Sequence, residues 1–230
     1  MEHSADEMMT VAAARELRDG EVCFVGIGLP STAANLARGR HAPGVVLIYE
    51  SGTIGSKPTR LPLSIGDGDL AETADAVVSV PEIFNYWLQG GRIDVGFLGA
   101  AQIDREGNLN STVIGSYDAP TVRLPGAGGA PEIAALTGRV ITIIRQSERT
   151  FVGALDFTTS LGTDGQVVIT DLGVLRRIDG ELMLCALHPG VTLEQARAAT
   201  GWELEVADDL TTTEPPTADE LAALRELKRA

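Results

Sequence analysis

The sequence is poor in the basic residues on which many binding functions depend. Its 230 residues contain 18 lysines and arginines against 32 aspartates and glutamates, which gives a formal net charge of −14. Proteins that bind nucleic acids or anionic membrane surfaces use lysine and arginine to neutralise phosphate groups. We therefore expect neither a nucleic-acid partner nor a membrane partner.

Cysteine, histidine and long apolar segments are also scarce. The two cysteines, Cys23 and Cys185, lie in apolar strand-like runs, and buried free thiols are typical of a reducing cytoplasm. The three histidines, His3, His41 and His188, lack the spacing of metal ligands, and no CxxC, P-loop or GxSxG motif occurs. No signal-peptide pattern and no apolar stretch of about 18 residues is present. The sequence thus predicts a cytoplasmic protein without a metal site.

What the sequence does contain is an alternation of short apolar runs and helix-like segments. This alternation predicts an α/β fold with an open, mainly parallel sheet and helices on both faces. We predict one domain over residues 1–230, in which 211–216 form a short linker to a C-terminal helix. Residues 77–80 are predicted to be a strand, 51–72 a long functional loop, and the acidic stretch 203–220 a solvated face.

Glu50 stands directly after the apolar run 45–49 and is followed by Ser51 and Gly52. An apolar run of this length, bounded by turn residues, is typical of a buried parallel strand. Ligands of open α/β sheets bind beyond the carboxyl ends of such strands. The sequence therefore places a carboxylate where chemistry is expected, and it leaves open whether Glu50 attacks a substrate, binds a ribose or is simply solvated.

The segment 22–50 partly matches a dinucleotide-binding fingerprint. A predicted strand leads into Gly26-x-Gly28 and a helix, and the acid Glu50 follows roughly 20 residues on. Ser31 occupies the position of the third glycine, however, and Pro30 lacks the N–H that should face a pyrophosphate. A tight strand-to-helix turn explains the segment better than a nucleotide site does.

Two further segments follow predicted strands. Gly126, Gly128 and Gly129 lie between a strand and a helix, where successive N–H groups can form an anion nest that stabilises an oxyanion; the alternative is a flexible connection. Gln102 can donate a hydrogen bond to a substrate carbonyl or carboxylate, or it can equally satisfy the local backbone of a turn.

Four motifs in order carry a resemblance to a known family. They are Val25-Gly26-Ile27-Gly28-Leu29-Pro30, Tyr49-Glu50-Ser51-Gly52, Gly99-Ala100-Ala101-Gln102-Ile103-Asp104 with Gly107-Asn108-x-Asn110-Ser111, and Gly126-Ala127-Gly128-Gly129-Ala130. Together they resemble the β subunit of the family I CoA-transferases, in the glutaconate and 3-oxoadipate CoA-transferase branch. The resemblance covers nearly the whole chain.

The resemblance implies a role for Glu50 as the nucleophile of a ping-pong reaction that passes through a glutamyl-CoA thioester. It implies oxyanion or CoA contacts for the glycine loop, and an α-type partner in a heterodimer or heterotetramer. No cofactor is expected, because the CoA thioester is a substrate. Many relatives have Glu-Asn-Gly where this chain has Glu-Ser-Gly, and Lys57 and Arg60 are the nearest basic candidates for the CoA phosphates. An acyl-CoA hydrolase with Glu50 as general base, or a non-catalytic acyl-CoA-binding subunit, are the alternatives.

Overall fold

The computed structural model describes residues 2–229, which fall into two compact units. The first unit comprises Met1–Phe97, Leu136–Gly138 and Pro216–Ala230, and the second comprises Leu98–Ala135 and Arg139–Pro215. The predicted linker 211–216 contains the point, between Pro215 and Pro216, at which the chain returns from the second unit to the first.

Seven α-helices, one π-helix and fourteen strands are formed by residues 2–229. In chain order, the helices are α1 (Ala5–Arg15), α2 (Leu29–Arg38), α3 (Gly68–Glu72), α4 (Val80–Glu82), the π-helix Ile83–Leu88, α5 (Ala130–Leu136), α6 (Leu193–Ala198) and α7 (Ala218–Leu227). The strands are β1 (Val22–Phe24), β2 (Val46–Ile48), β3 (Thr53–Ile54), β4 (Ala76–Val77), β5 (Val95–Leu98), β6 (Gln102–Ile103), β7 (Leu109–Asn110), β8 (Val113–Gly115), β9 (Pro120–Arg123), β10 (Arg139–Ile143), β11 (Val167–Ile169), β12 (Gly173–Ile178), β13 (Glu181–Leu187) and β14 (Glu205–Thr212). None of these helices is long and apolar enough to cross a membrane.

In the first unit the strands lie in the order β5-β1-β2-β3-β4. Strand β1 is parallel to both β2 and β5, whereas β3 and β4 pair antiparallel as they approach the edge. The β1–β2 register pairs Phe24 with Ile48, and helix α2 makes the crossover that parallel neighbours require. Because parallel strands end at the same edge, the residues that follow β1 and β2 share one edge of the sheet.

In the second unit the strands lie in the order β14-β13-β12-β11-β10. The pairs β10–β11 and β13–β14 are parallel, and β11–β12 and β12–β13 are antiparallel. Strands β6 and β7 form a separate hairpin around the predicted turn 104–108. The sequence does not predict strand β14, but none of its residues is buried, in agreement with the solvated acidic face predicted over 203–220. Its last two residues, 211 and 212, fall within the predicted linker.

Two other local predictions need correction. The segment 51–72 is not one long loop, since β3 forms a hairpin with β2 and residues 68–72 form α3. The predicted strand 77–80 is only the short strand β4, which lies at the end of the strand order. By contrast, the two predicted capping boxes, Thr192 with Gln195 and Thr217 with Glu220, are both confirmed. In each, the polar side chains satisfy N–H groups that a helix start leaves free.

Candidate active site

Glu50 lies at the tip of the β2–β3 hairpin. The N–H of Gly52 donates to the carbonyl of Tyr49 at 3.0 Å, and the N–H of Tyr49 donates to the carbonyl of Thr53 at 3.1 Å. Glu50 and Ser51 are therefore the two central residues of a tight turn, held by backbone bonds on both sides. This turn projects the carboxylate from the carboxyl end of a parallel strand.

The Glu50 carboxylate has no hydrogen bond or ion pair within residues 2–229, in contrast to several other acids of the first unit. Its side chain is half-buried. In the same unit, Asp67 pairs with Arg60, Asp75 pairs with Lys57, and Glu82 closes a capping box with the residue three positions before it. A carboxylate with free lone pairs is what nucleophilic attack requires.

Gly52 is required by the shape of this turn. Its φ of +108° is a conformation that side-chain-bearing residues rarely adopt. A Cβ at this position would also overlap the carbonyl oxygen of Val78, and the Gly52 carbonyl accepts from the Val78 N–H at 2.9 Å. The Glu50 turn is thus packed directly against the chain that follows β4.

A buried polar network anchors the turn from behind. Tyr49 is fully buried, and its hydroxyl lies 3.1 Å from the Ser31 hydroxyl in the first turn of α2. Asn35, one helical turn later, donates to the Ser31 carbonyl at 2.9 Å. Burial raises the pKa of Tyr49, so the phenol stays neutral and joins the end of β2 to α2 by a hydrogen bond.

Sequence reasoning missed this anchor. The signal available was a pair of polar residues, Ser31 and Asn35, at i, i+4 spacing in an alanine-rich helix. From the sequence alone, Tyr49 is simply the last residue of an apolar run. Nothing in the sequence pairs its hydroxyl with Ser31, because that contact depends on the β1–α2–β2 crossover.

Gly26 and Gly28 lie at the same sheet edge as Glu50. Gly26 follows the paired residue Phe24 by two positions, as Glu50 follows Ile48, so the register places the two side by side. Gly28 caps α2 with a φ of +88°, and its carbonyl accepts from both the N–H and the hydroxyl of Thr32. The structure therefore brings these three predicted site residues together.

The remaining predicted site residues belong to the second unit. In the glycine loop, Gly126 and Gly128 have φ values of +103° and +51°. The Gly126 N–H already donates to the Ser111 carbonyl at 2.9 Å, and the Ser111 hydroxyl donates to the Gly126 carbonyl. The Gly126 N–H is therefore not free to bind an anion, and the N–H groups of Gly128 and Gly129 are the remaining candidates for the anion nest.

Gln102 is held inside a buried cluster. Its amide nitrogen donates to Asp156 at 2.9 Å, and its amide oxygen accepts from Asn110 at 2.7 Å. One N–H of the amide is used in this way, which favours the structural interpretation of Gln102 over substrate binding. Asn110 also donates to the Val113 carbonyl, so the cluster ties the β6–β7 hairpin to the start of β8.

The basic candidates for the CoA phosphates are already neutralised within the chain. Lys57 pairs with Asp75, and Arg60 makes two hydrogen bonds to the carboxylate of Asp67, at 3.0 and 2.9 Å. Two backbone N–H groups and Arg60 lower the pKa of Asp67, so this pair stays charged on both sides. Within residues 2–229 no cluster of His, Cys, Asp and Glu suits a metal ion.

Comparison with known proteins gives a consistent result. A family model described as coenzyme A transferase matches residues 6–199. The chain is 59% identical to the B subunit of the 3-oxoadipate CoA-transferase of Pseudomonas knackmussii, over 98% of this chain and 94% of that protein. It is 33% identical to the B subunit of the glutaconate CoA-transferase of Acidaminococcus fermentans, over 87% of this chain and 84% of that protein.

Solved structures show the same fold. The glutaconate coenzyme A-transferase of Acidaminococcus fermentans matches with a TM-score of 0.90 at 30% identity, over 97% of this chain and 94% of that chain. The decarboxylase AibA/AibB matches with a TM-score of 0.89 at 29% identity, over 97% of this chain and 94% of that chain. These matches confirm the predicted α/β class, and they also show that the fold serves more than one reaction.

Proposed function

The chain belongs to the coenzyme A transferase family, and from this premise we propose that it moves CoA between an acyl-CoA and a carboxylic acid through a covalent thioester on Glu50. The observation that carries this proposal is the unengaged, half-buried Glu50 carboxylate at the carboxyl end of β2. Asp67 and Asp75, in the same unit, are each paired with a cation and are poorer nucleophiles for that reason.

The first half-reaction loads CoA onto the protein. A Glu50 oxygen attacks the thioester carbonyl carbon, the C–S bond breaks, and an acyl-glutamyl anhydride and CoA thiolate are formed. The thiolate then attacks the glutamyl carbonyl carbon, and the anhydride C–O bond breaks. The donor leaves as a carboxylate, and Glu50 carries CoA as a thioester.

The second half-reaction runs the same steps with a different acid. The acceptor carboxylate attacks the glutamyl thioester and releases CoA thiolate, and the thiolate attacks the acceptor's acyl carbon in the new anhydride. This step frees the Glu50 carboxylate. Neither water nor a redox partner enters, and each intermediate is close in energy to the reactants because anhydrides and thioesters are both activated acyl groups.

Oxyanions form on the carbonyl groups in each attack, and we assign their stabilisation to the glycine loop. The N–H groups of Gly128 and Gly129 are the candidates, because the Gly126 N–H donates to Ser111. A preorganised N–H donor of this kind is typically worth about 10²–10³ in turnover rate. Gly26 and Gly28 leave room beside Glu50 for the acyl group.

The acceptor and the companion are inferred from the relatives. The 59% identical protein belongs to a 3-oxoadipate CoA-transferase, which supports a 3-oxo or dicarboxylic acid as substrate. Its designation as the B subunit supports a companion α-type subunit, which would complete the substrate pocket in a heterodimer or heterotetramer. The reaction needs no cofactor, since the CoA thioester is consumed and regenerated as a substrate.

Trapping the covalent intermediate tests the proposal. The chain is combined with the α-type subunit of a 3-oxoadipate CoA-transferase, supplied with succinyl-CoA without acceptor, and treated with borohydride or hydroxylamine. Mass spectrometry should find the modification on Glu50. Glu50→Gln should abolish the adduct and lower turnover at least about 1,000-fold, whereas the exposed control Glu194→Gln should leave both unchanged.

The acyl-CoA hydrolase alternative predicts a different result in the same assay. With Glu50 as a general base for water, CoA would be released without any added acid, and no adduct would form on Glu50. Strict dependence on an acceptor acid, together with the adduct, would support transfer. An active complex without the adduct would refute the covalent mechanism.

A further inference from the structure

The segment that follows α3 is apolar in sequence but exposed in the structure. Residues 76–81 read Ala-Val-Val-Ser-Val-Pro, a pattern typical of a strand buried on both faces. In the folded chain, however, Val77 is 60% exposed and Val80 is 45% exposed. Single exposed apolar residues are ordinary, but a contiguous run of them marks an interaction site.

Strand β4, at the start of this segment, is also an edge strand. It pairs with β3 on one side only and closes the strand order of the first unit. Proteins usually protect such an edge with lysine, a bulge or a covering element. Strand β4 is only two residues long, and residues 76–80 contain no charged side chain, so no charge on this edge opposes contact with another chain.

The π-helix that follows extends the apolar surface. Tyr86, in its second half, is 64% exposed, while Ile83 and Leu88 are buried and fix the helix to the core. π-Helical turns are rare and are frequently found at functional sites. Aromatic side chains such as tyrosine are enriched in the buried centres of protein interfaces.

This surface is continuous with the Glu50 turn. The Val78 N–H donates to the Gly52 carbonyl at 2.9 Å, and Val77 is the register partner of Thr53. The hydroxyls of Ser51 and Thr53 are buried without a hydrogen-bond partner within residues 2–229. Buried hydroxyls without a hydrogen-bond partner are uncommon in folded proteins, and here both lie within three positions after Glu50.

Charge is the observation that distinguishes the possible partners of this surface. The exposed acids Glu72 and Glu82 lie close to the segment in sequence and form no ion pair within residues 2–229, Asp75 is paired with Lys57, and the whole chain has a net charge of −14. A second copy would bring the same acidic residues close to each other, which is unfavourable. A companion subunit with basic side chains around an apolar centre fits the surface.

We propose that residues 76–81 and Tyr86, the β4 docking face, bind the companion α-type subunit and so place its side chains beside Glu50. The proposal rests on the function proposed above and adds to it the surface through which the two subunits assemble. It also explains why a strand with the sequence of a buried strand lies exposed at a sheet edge.

Binding measurements with the α-type subunit of a 3-oxoadipate CoA-transferase test the docking face. Val77→Asp and Val80→Asp each place a charge in the apolar centre, and each should raise the Kd at least about tenfold. The matched control is Ile178→Asp, which changes an exposed β-branched strand residue of the second unit, 39% exposed in the structure. It should leave the Kd unchanged, and circular dichroism should show all three variants folded.

Hydrogen exchange provides an independent readout that needs no variant. The amides of residues 76–80 should gain protection when the α-type subunit binds. Equal exchange with and without that subunit, or equal weakening by all three variants, would overturn the proposal. So would a homodimer of the chain alone that Val77→Asp dissociates. An active wild-type complex that Val77→Asp leaves intact would refute the docking face while leaving the proposed function standing.

Discussion

At the level of single residues, the proposed function requires a Glu50 carboxylate that is free of bonding partners and yet held in position. This carboxylate has no partner within residues 2–229, so the position of the side chain is set entirely by the backbone of the turn. That backbone is held on one side of Glu50 by Gly52, which packs against Val78, and on the other by Tyr49, whose hydroxyl bonds to Ser31. A nucleophile that is not itself hydrogen-bonded must be oriented by its neighbours, because misplacement by about 1 Å can cost 10²-fold in rate.

Tyr49→Phe tests the anchor behind Glu50. It removes the hydroxyl bond to Ser31 at 3.1 Å and should cost about 1 kcal/mol of unfolding free energy. Because Tyr49 does not touch substrate in the proposed mechanism, kcat should fall on the order of tenfold while KM stays constant. Steady-state kinetics of the assembled complex provide the measurement.

The control for this anchor is Tyr117→Phe, which removes the hydroxyl of a half-exposed tyrosine in the second unit. It should change neither kcat nor KM. A Tyr49→Phe variant that is less stable but fully active would show that the hydroxyl holds the fold and has no part in orienting Glu50.

Gly52→Ala tests the front of the turn. Alanine at a φ of +108° is strained by about 1–3 kcal/mol, and the overlap of its Cβ with the Val78 carbonyl adds about 1–3 kcal/mol. Gly91→Ala separates the two effects, since Gly91 has a φ of +66° but open space around its Cβ. Urea unfolding should show a clearly larger loss for Gly52→Ala, and equal losses would contradict the overlap.

At this scale the sequence predicts some features and not others. The sequence marks Glu50 as a candidate because an apolar run followed by Glu-Ser-Gly places an acid at the end of a predicted strand, and the structure confirms that position after β2. The contact of Tyr49 with Ser31 could not be predicted, since 18 positions separate the two residues and only the crossover joins them. The use of the Gly126 N–H within the fold was equally hidden, because its acceptor, Ser111, lies on a different strand connection.

Among the secondary-structure elements, the terminal helices α1 and α7 are joined by two Arg–Glu ion pairs. Arg15 of α1 binds Glu220 of α7 through two hydrogen bonds, at 2.8 and 2.7 Å, and Arg225 of α7 binds Glu7 of α1, at 2.7 and 3.1 Å. Each glutamate is also the N3 residue of its own helix's capping box. The two ends of the chain are thereby joined in the first unit.

These two ion pairs predict that part of the free energy of unfolding is lost in acid. The Arg225 hydrogen bond and the Ser4 N–H lower the pKa of Glu7 from 4.5 to about 2. Burial works against ionisation of Glu220, but hydrogen bonds from Arg15 and Thr217 outweigh it and lower the pKa to about 2 as well. The unfolded chain binds these protons first, so the stabilisation is complete above about pH 5 and is lost as the pH falls towards 2.

The double variant Glu7→Gln, Glu220→Gln measures this pH-dependent contribution to the free energy of unfolding. Glutamine retains the capping boxes and removes only the charges. Urea midpoints should differ fully between wild type and variant at about pH 7, differ less at about pH 3, and approach each other only near pH 2, where the folded-state glutamates take up protons. The exposed Glu226→Gln on α7 should show no such pH dependence, and a gap that persists at low pH would contradict the assignment.

The errors in predicting elements share one cause. The acidic composition of residues 205–212 predicts no strand, yet they form β14, which remains unburied and pairs with β13 at its two ends, on either side of an irregularity. The largely apolar residues 77–80 predict a full strand, yet of these only Val77 lies in β4. In both cases pairing with other segments overrode local composition, as β-propensity is expected to allow. Helices with capping boxes were predicted better, because their signals are local.

For the molecule as a whole, the central question is which charges hold a polyanionic substrate. The chain carries a net charge of −14, and at least eight of its 18 cationic side chains are in ion pairs with its own carboxylates. Lys57 and Arg60, the candidates nearest to Glu50 in sequence, are among them. A CoA molecule that approaches this chain alone therefore meets a repulsive field at long range.

We expect the companion subunit to supply most of the phosphate-binding charge, and ionic strength can test this. In the assembled complex, raising salt from about 50 to about 500 mM should weaken CoA binding several-fold, since it screens attractive charges. With the isolated chain the same change should leave the Kd unchanged or lower it, since only repulsion is screened. Lys57→Gln and Arg60→Gln should leave the complex's KM for acyl-CoA unchanged. If salt weakened CoA binding equally in the isolated chain, the phosphate-binding cations would have to lie on this chain, and the two variants would show whether they are Lys57 and Arg60.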